Sequence, residues 1–250
     1  MALRVVPVPC LEDNYAYLLL GESGRAVAID PTEARPVRQA LEREGATLVG
    51  LWLTHHHYDH VGGVEALVET SPGIPVIGSR YDLDHGRIPK QGRGVVDGET
   101  LDFEGRAVRV LAVPGHTLGA VAYLVDGELF TGDTLFLGGC GRVFEGTMPM
   151  MAASLGKLRR LAPETRVWCG HEYTLSNLRF AKHVDPDNAR VAEAFAEAER
   201  AKAEGRRTIP GTLARELEVN PFLRFDAPEL AKGLPPDESF AALREAKNRF

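Results

Sequence analysis

Thr54-His55-His56-His57-Tyr58-Asp59-His60 follows directly on the apolar run Leu51-Trp52-Leu53. His55 and His57 are two residues apart, so in an extended or turning segment they point the same way and can chelate one ion. Asp59 and His60 come after the turn and can face a second ion. His56 lies between ligands, points away from the metals and is read as structural. Neutral imidazole and carboxylate suit zinc, and also iron or manganese. The lack of thiolate ligands argues against a closed structural site.

Three further segments repeat the arrangement. His116, in Pro114-Gly115-His116-Thr117, follows the run Val108 to Val113. Asp133, in Thr131-Gly132-Asp133-Thr134, follows Leu129-Phe130. His171, in Cys169-Gly170-His171-Glu172-Tyr173, follows Val167-Trp168. Each time a buried-looking strand ends and a ligand-capable residue follows at once. Strand ends gathered on one edge of a sheet would bring these segments together, where α/β proteins commonly place their sites. The donors His55, His57, Asp59, His60, His116, Asp133 and His171 exceed what one tetrahedral ion needs. Two ions sharing a carboxylate, most naturally Asp133, account for the surplus. Such a pair, about 3.5–4 Å apart, generates a bridging hydroxide near neutral pH and polarises the bond under attack. Hydrolysis then needs no serine or cysteine nucleophile. Asp59 and Asp133 are the catalytic carboxylates of this reading, and the hydroxide is its nucleophile.

Composition restricts the remaining classes. The chain has 250 residues, 44% of them hydrophobic, enough for a sizeable core. Its net charge of −6 argues against a protein built on nucleic-acid phosphates. The three cysteines, Cys10, Cys140 and Cys169, form no CxxC pair and suggest neither a disulfide framework nor a thiolate site. Cys140 and Cys169 read as buried small residues. The N-terminal run Met1-Ala2-Leu3-Arg4-Val5-Val6-Pro7 lacks a signal-like basic start, and no apolar stretch approaches the roughly 20 residues that span a bilayer. A cytoplasmic protein without a membrane partner is expected, working as a monomer.

Strands are expected at Tyr15 to Leu20, Ala26 to Ile29, Leu48 to Leu53, Pro75 to Ile77, Val108 to Val113, Val121 to Val125, Glu128 to Thr131 and Arg166 to Cys169. Asp126-Gly127 marks a hairpin. Helical patterns run from about Pro36 to Glu44, Gly63 to Glu69 and Met150 to Leu161. After about Tyr173 the texture becomes helical, with Asn177 to His183, Ala189 to Ala203 stopped by Gly205, and Asp237 to Lys247. Strands and helices without strict alternation suggest stacked sheets with helices outside. The expected organisation is a catalytic domain over 1–172 and a helical substrate-binding domain over 173–250.

The pattern of His55, His57, Asp59 and His60 with later His116, Asp133 and His171 resembles the metallo-β-lactamase superfamily. That resemblance implies an α+β fold, the αβ/βα four-layer sandwich. More selective residues narrow it. Gly170-His171-Glu172-Tyr173-Thr174 with Asn177-Leu178, Gly132-Asp133-Thr134-Leu135-Phe136 through Gly139-Cys140-Gly141-Arg142, Asn220-Pro221-Phe222-Leu223-Arg224 and Leu243-Arg244 with Lys247-Asn248 are similar to the glyoxalase II, or hydroxyacylglutathione hydrolase, family. The resemblance covers nearly the whole chain, including the helical tail. It implies one metal on His55, His57 and His116, another on Asp59, His60 and His171, and Asp133 bridging. It implies two divalent ions, zinc first, with iron or manganese as alternatives. The implied substrate is S-D-lactoylglutathione or a similar 2-hydroxyacyl thioester, with Arg142, Tyr173, Arg244 and Lys247 binding glutathione. Arg142 stands where some members have lysine, and Arg can replace Lys as a carboxylate binder. Phe144 stands where some have tyrosine and supplies no hydroxyl. A persulfide dioxygenase or other hydrolase on the same scaffold, and a non-catalytic metal-binding module, are the competing readings. Without the resemblance, Arg244 and Lys247 would read as a solvated helix face.

Overall fold

The computed structural model describes residues 3–250; Met1 and Ala2, the start of the expected leader-free N-terminus, lie outside them. The chain divides into two compact units. One takes residues up to Ala112 with Gly119–Asp126, the other Val113–Leu118 with Gly127–Phe250.

The first unit opens with β1 (Arg4–Cys10), β2 (Asn14–Leu20), β3 (Arg25–Ile29), α1 (Ala34–Glu44) and β4 (Thr47–Trp52). It continues through α2 (Tyr58–Val61), α3 (Val64–Thr70), β5 (Val76–Ser79), α4 (Arg80–Asp84) and β6 (Arg93–Val95). These six strands form one sheet in sequence order, antiparallel from β1 to β3 and parallel from β3 to β6. Parallel neighbours need a crossover, and the helices supply it. Val37 and Ala40 of α1, Val61 of α2, and Val64 and Leu67 of α3 pack on Ala16, Leu18, Ala28 and Leu51 of the sheet.

The opposite face receives the antiparallel run β7 (Thr100–Phe103), β8 (Arg106–Ala112) and β9 (Val121–Val125). Trp52 meets Phe103 at 6.1 Å and Tyr123 at 5.4 Å between ring centres, and the Tyr123 hydroxyl donates to the Leu53 carbonyl at 2.9 Å. Burial on both faces explains why β2 is buried at every position and reads as a continuous apolar run.

The second unit contains β10 (Glu128–Gly132), β11 (Leu135–Phe136), β12 (Gly139–Cys140), α5 (Met148–Leu158), β13 (Arg166–Cys169), α6 (Thr174–Val184) and α7 (Ala189–Ala203). It ends with β14 (Gly211–Thr212), α8 (Leu213–Val219), α9 (Pro228–Ala231) and α10 (Pro236–Arg249). β10 pairs in parallel with β13, β13 antiparallel with β14, and β11 with β12 as a two-residue hairpin. Asn188 caps α7 by accepting from the Arg190 and Val191 amides, and Gly205 follows its end at a φ of 66°. The tail is held by Leu178, Ala181, Val191, Ala194, Ala198 and Val219, and by Phe222 against Phe180 and Phe240.

The eight expected strands and six expected helices are present, with ends moved by a few residues. β1 was not expected because Pro7 and Pro9 interrupt it. It is the edge strand of its sheet, and two prolines at a spacing of two put both missing N–H groups on the same side. The proline-punctuated stretch after Gly205 holds β14, α8 and α9, elements too short to leave a periodic pattern.

Candidate metal and substrate site

The four segments expected to carry ligands begin where strands stop. β4 ends at Trp52 before His55, β8 at Ala112 before His116, β10 at Gly132 before Asp133, and β13 at Cys169 before His171.

In the first unit, Asp30 organises the cluster. It follows β3 directly at a φ of 47° and is 2% exposed. Its Oδ1 accepts from the Thr54 amide at 2.7 Å, and its Oδ2 from the Thr54 hydroxyl at 2.6 Å. The same Oδ2 lies 2.9 Å from His60 Nδ1. A carboxylate there fixes the proton on Nδ1 and leaves Nε2 as the donor atom, the usual outer support of a metal-binding imidazole. His55 Nε2 and His57 Nδ1 converge at 3.1 Å, and His60 Nε2 lies 3.8 Å from Asp59 Oδ2. Asn14 donates to Asp59 Oδ2 at 3.1 Å, and the Thr32 hydroxyl donates to the Asp59 carbonyl at 2.7 Å. The turn between α2 and α3 fits tightly below: a Cβ on Gly63 would stand 2.5 Å from the Pro31 carbonyl oxygen. His56 turns elsewhere, accepting from Arg87 at 2.7 Å near buried Asp82, as its structural reading requires.

In the second unit, Asp133 sits between two histidines. Its Oδ2 is 3.5 Å from His116 Nε2 and 3.3 Å from His171 Nε2. His116 Nδ1 donates to the Arg142 carbonyl at 2.8 Å, which again leaves Nε2 unprotonated. Gly115, at a φ of 156°, lets the loop pass against Met151, 2.8 Å from where a Cβ would be. The donor set of both units is imidazole and carboxylate, largely buried, with second ring nitrogens tied down. It fits borderline divalent metal ions.

The expected substrate residues fall in contrasting surroundings. Arg142 is exposed. Tyr173, 36% exposed, stacks on His171 at 4.6 Å and 9°, and both rings meet Phe136. Arg244 is 3% exposed, donates to the Cys140 carbonyl at 2.8 Å and lies over the Phe222 ring at 5.0 Å. Lys247 Nζ donates to the Ser176 carbonyl at 3.1 Å between Phe180 and Phe250. Burial, then the Arg244 and Arg179 charges, pulls its ammonium down to about 8. A freely solvated helix face is not what these two residues form. Phe144 stands exposed with its ring 5.2 Å from that of His116. Cys140 and Cys169 are buried as expected, and burial pushes the Cys169 thiol up to about 12. Glu172 accepts from the Thr208 amide at 3.0 Å and from its hydroxyl.

Sequence reasoning quoted Asn177 and Asn220 as motif residues but assigned no role to the group that braces the β11–β12 hairpin. Asn220 Nδ2 lies 3.1 Å from the Phe136 carbonyl, 3.0 Å from that of Gly139 and 2.9 Å from Glu216 Oε2. Asn177 donates to the Leu137 carbonyl at 3.2 Å, and the Gly138 amide donates to Glu216 Oε2 at 2.8 Å. Burial pushes the Glu216 carboxyl up to about 7. Asp30 was missed too, although it obeys the same strand-end rule as the ligands.

Comparison with known proteins matches residues 12–171 to the metallo-beta-lactamase superfamily and residues 172–250 to the family described as hydroxyacylglutathione hydrolase C-terminus. A hydroxyacylglutathione hydrolase of Gloeobacter violaceus is 51% identical over 96% of this chain and 97% of its own. The chain belongs to the hydroxyacylglutathione hydrolase family. Its fold is accordingly the α+β, αβ/βα sandwich of the metallo-β-lactamase superfamily with a C-terminal helical domain. Among solved structures, ETHE1 of Myxococcus xanthus is similar at a TM-score of 0.66 and 26% identity, covering 100% of this chain and 98% of its own. TTHA1623, solved in a di-iron-bound form, is similar at 0.61 and 30%, covering 88% of this chain and all of its own. Together the two matches span residues 12–250 of this hydroxyacylglutathione hydrolase family member.

Proposed function

We propose that the protein hydrolyses S-(2-hydroxyacyl)glutathione thioesters, S-D-lactoylglutathione first among them, to the hydroxy acid (D-lactate) and glutathione, a route of methylglyoxal detoxification. The observation that carries this reading is the match of residues 172–250 to the hydrolase C-terminal family, since that segment holds Tyr173, Arg244 and Lys247. In this reading residues 1–172 are the catalytic domain and 173–250 the substrate-binding domain.

His55, His57 and His116 would hold one divalent ion and Asp59, His60 and His171 the other, with Asp133 shared. The spacing of Asp133 Oδ2 between two imidazoles supports the shared role. Zinc is the ion we favour, and iron is supported by the di-iron form of TTHA1623. Bound ions would supply Lewis-acid polarisation of the thioester carbonyl and activation of water.

The chain's own groups do the rest. Asp30 and the Arg142 carbonyl hold His60 and His116 in one tautomer, so two donor nitrogens need no reorganisation. Tyr173 lies flat on His171 and limits its rotation. The exposed Arg142 guanidinium and the Lys247 ammonium offer cations for glutathione carboxylates within an acidic protein. Arg244 holds the Cys140 carbonyl with Nη1 and adds its charge beside that of Lys247. The leaving thiol, with an ordinary pKa of about 8.5, departs as thiolate without a dedicated acid.

The proposal takes the protein as a cytoplasmic monomer with no nucleic-acid or membrane partner. The described residues include no helix long and apolar enough to cross a membrane. The deciding assay follows loss of thioester absorbance with S-D-lactoylglutathione, beside a β-lactam and a glutathione persulfide. Turnover of the thioester is expected; its absence in metal-replete protein ends the proposal.

A further inference from the structure

The buried face of α7 is made of small residues. Ala194, Ala198 and Ala201 face inward along a helix that packs on α6. Side chains this short leave space, and a cleft of about 550 Å³ opens between α6, α7, α8 and the 206–212 segment. That volume lies within the ~300–1,000 Å³ of small-ligand sites. None of the metal-donor residues lines it.

The lining has three kinds of surface. Leu178, Ala198 and Val219 give an apolar wall. Arg200, Arg206, Arg207 and Arg215 form a cationic rim. Arg206 is paired with Glu204 at 2.6 Å and Arg215 with Glu197 at 3.1 Å. Among the described residues, Arg200 and Arg207 have no acidic partner. Glu216, 3% exposed, also lines the cleft. Both of its hydrogen bonds, from the Gly138 amide and Asn220, reach Oε2. No protein hydrogen bond reaches Oε1, which is not sealed from solvent and is open to a molecule in the cleft.

We infer that this cleft is a second ligand site, for a small hydroxy-substituted organic anion. Its carboxylate or phosphate is held by the guanidinium groups of Arg200 and Arg207, and its hydroxyl pairs with Glu216 Oε1. Arg suits planar, bidentate recognition of either anion. Because Glu216 titrates near neutrality, it can give or accept the hydrogen bond to that hydroxyl.

Isothermal titration of the metal-replete protein tests this with malate, succinate, glycerol 3-phosphate and inorganic phosphate. Malate or glycerol 3-phosphate is expected to bind once per chain with a Kd below about 1 mM. Whichever of the two binds tells carboxylate from phosphate. The paired change Arg200→Ala with Arg207→Ala should weaken it at least about tenfold, while Arg207→Lys, which keeps the charge but not the fork, should lose less than Arg207→Ala. Succinate should bind at least about threefold more weakly than malate, and inorganic phosphate more weakly than glycerol 3-phosphate. Binding indifferent to the arginine changes, equal binding of the hydroxylated anion that binds and its hydroxyl-free counterpart, or no saturable binding up to about 10 mM overturns the inference. No hydrolysis is read in this experiment, so its outcome is independent of the thioesterase proposal.

Discussion

His116 Nδ1 lies 2.8 Å from the carbonyl oxygen of Arg142. A carbonyl only accepts, so the imidazole carries its proton there and faces Asp133 with a bare nitrogen. The contact uses the Arg142 backbone, which leaves the side chain free for another task. Arg142→Ala should therefore keep the full metal content by elemental analysis while raising KM for the thioester about tenfold. Loss of metal in this variant would show that the side chain, not the backbone, supports the site.

Asp30 and Asp133 allow the proposed orienting and ligating roles to be separated. Asp30→Ala frees His60 Nδ1 and leaves the Thr54 amide without its acceptor. Metal affinity should fall about 10–100-fold with both ions still bound at saturation. Asp133→Ala removes the carboxylate proposed to be shared, so stoichiometry and activity should fall together. Two ions retained at full affinity in Asp133→Ala would contradict the bridging role.

Lys247 predicts a pH dependence of substrate binding. Its depressed pKa of about 8 makes it a cation at pH 7 and largely neutral at pH 9. If it binds a glutathione carboxylate, KM should rise about tenfold over that interval. Lys247→Arg, charged throughout, should flatten this part of the profile. Equal profiles for both proteins would exclude the ammonium from binding.

Glu216 predicts a pH dependence of stability. Its carboxyl rises from an ordinary 4.5 to about 7 on folding, so between those values the native state binds more protons than the unfolded one. Stability then falls as pH rises through this window, by up to about 3 kcal/mol, and the penalty is complete above it. Glu216→Gln keeps an acceptor for Gly138 and Asn220 without the charge. Relative to the parent, it should gain stability from pH 5 to pH 8 in urea unfolding. A constant difference across that range would refute the assignment.

The candidate donors stood out in the sequence because strand ends leave a mark. An apolar run stops and a histidine or aspartate follows, as at Leu53, Val113, Phe130 and Trp168. The long helices were legible from their apolar spacing, and α7 was bounded by Asn188 and Gly205. Asp30 escaped because an aspartate before proline reads equally as a turn. The bracing roles of Asn177, Asn220 and Glu216 escaped for a different reason. They act on backbone carbonyls and an amide some 40 to 80 positions away, and no local pattern marks such a partner. The burial of Arg244 was hidden likewise, since a helix-face arginine looks solvated until Phe222 covers it.

The hairpin brace bears on how enzymes of this kind can be re-engineered. Carbonyls of Phe136, Leu137 and Gly139 receive their hydrogen bonds from Asn177 and Asn220, far along in the tail. A specificity module exchanged between relatives by cutting at residue 172 would strip these bonds from Leu135–Cys140 or meet a hairpin shaped for other side chains. The transplantable cassette is discontinuous: residues 135–140 travel with 173–250, and a chimaera that respects only the linear boundary inherits a loosened wall beside His171.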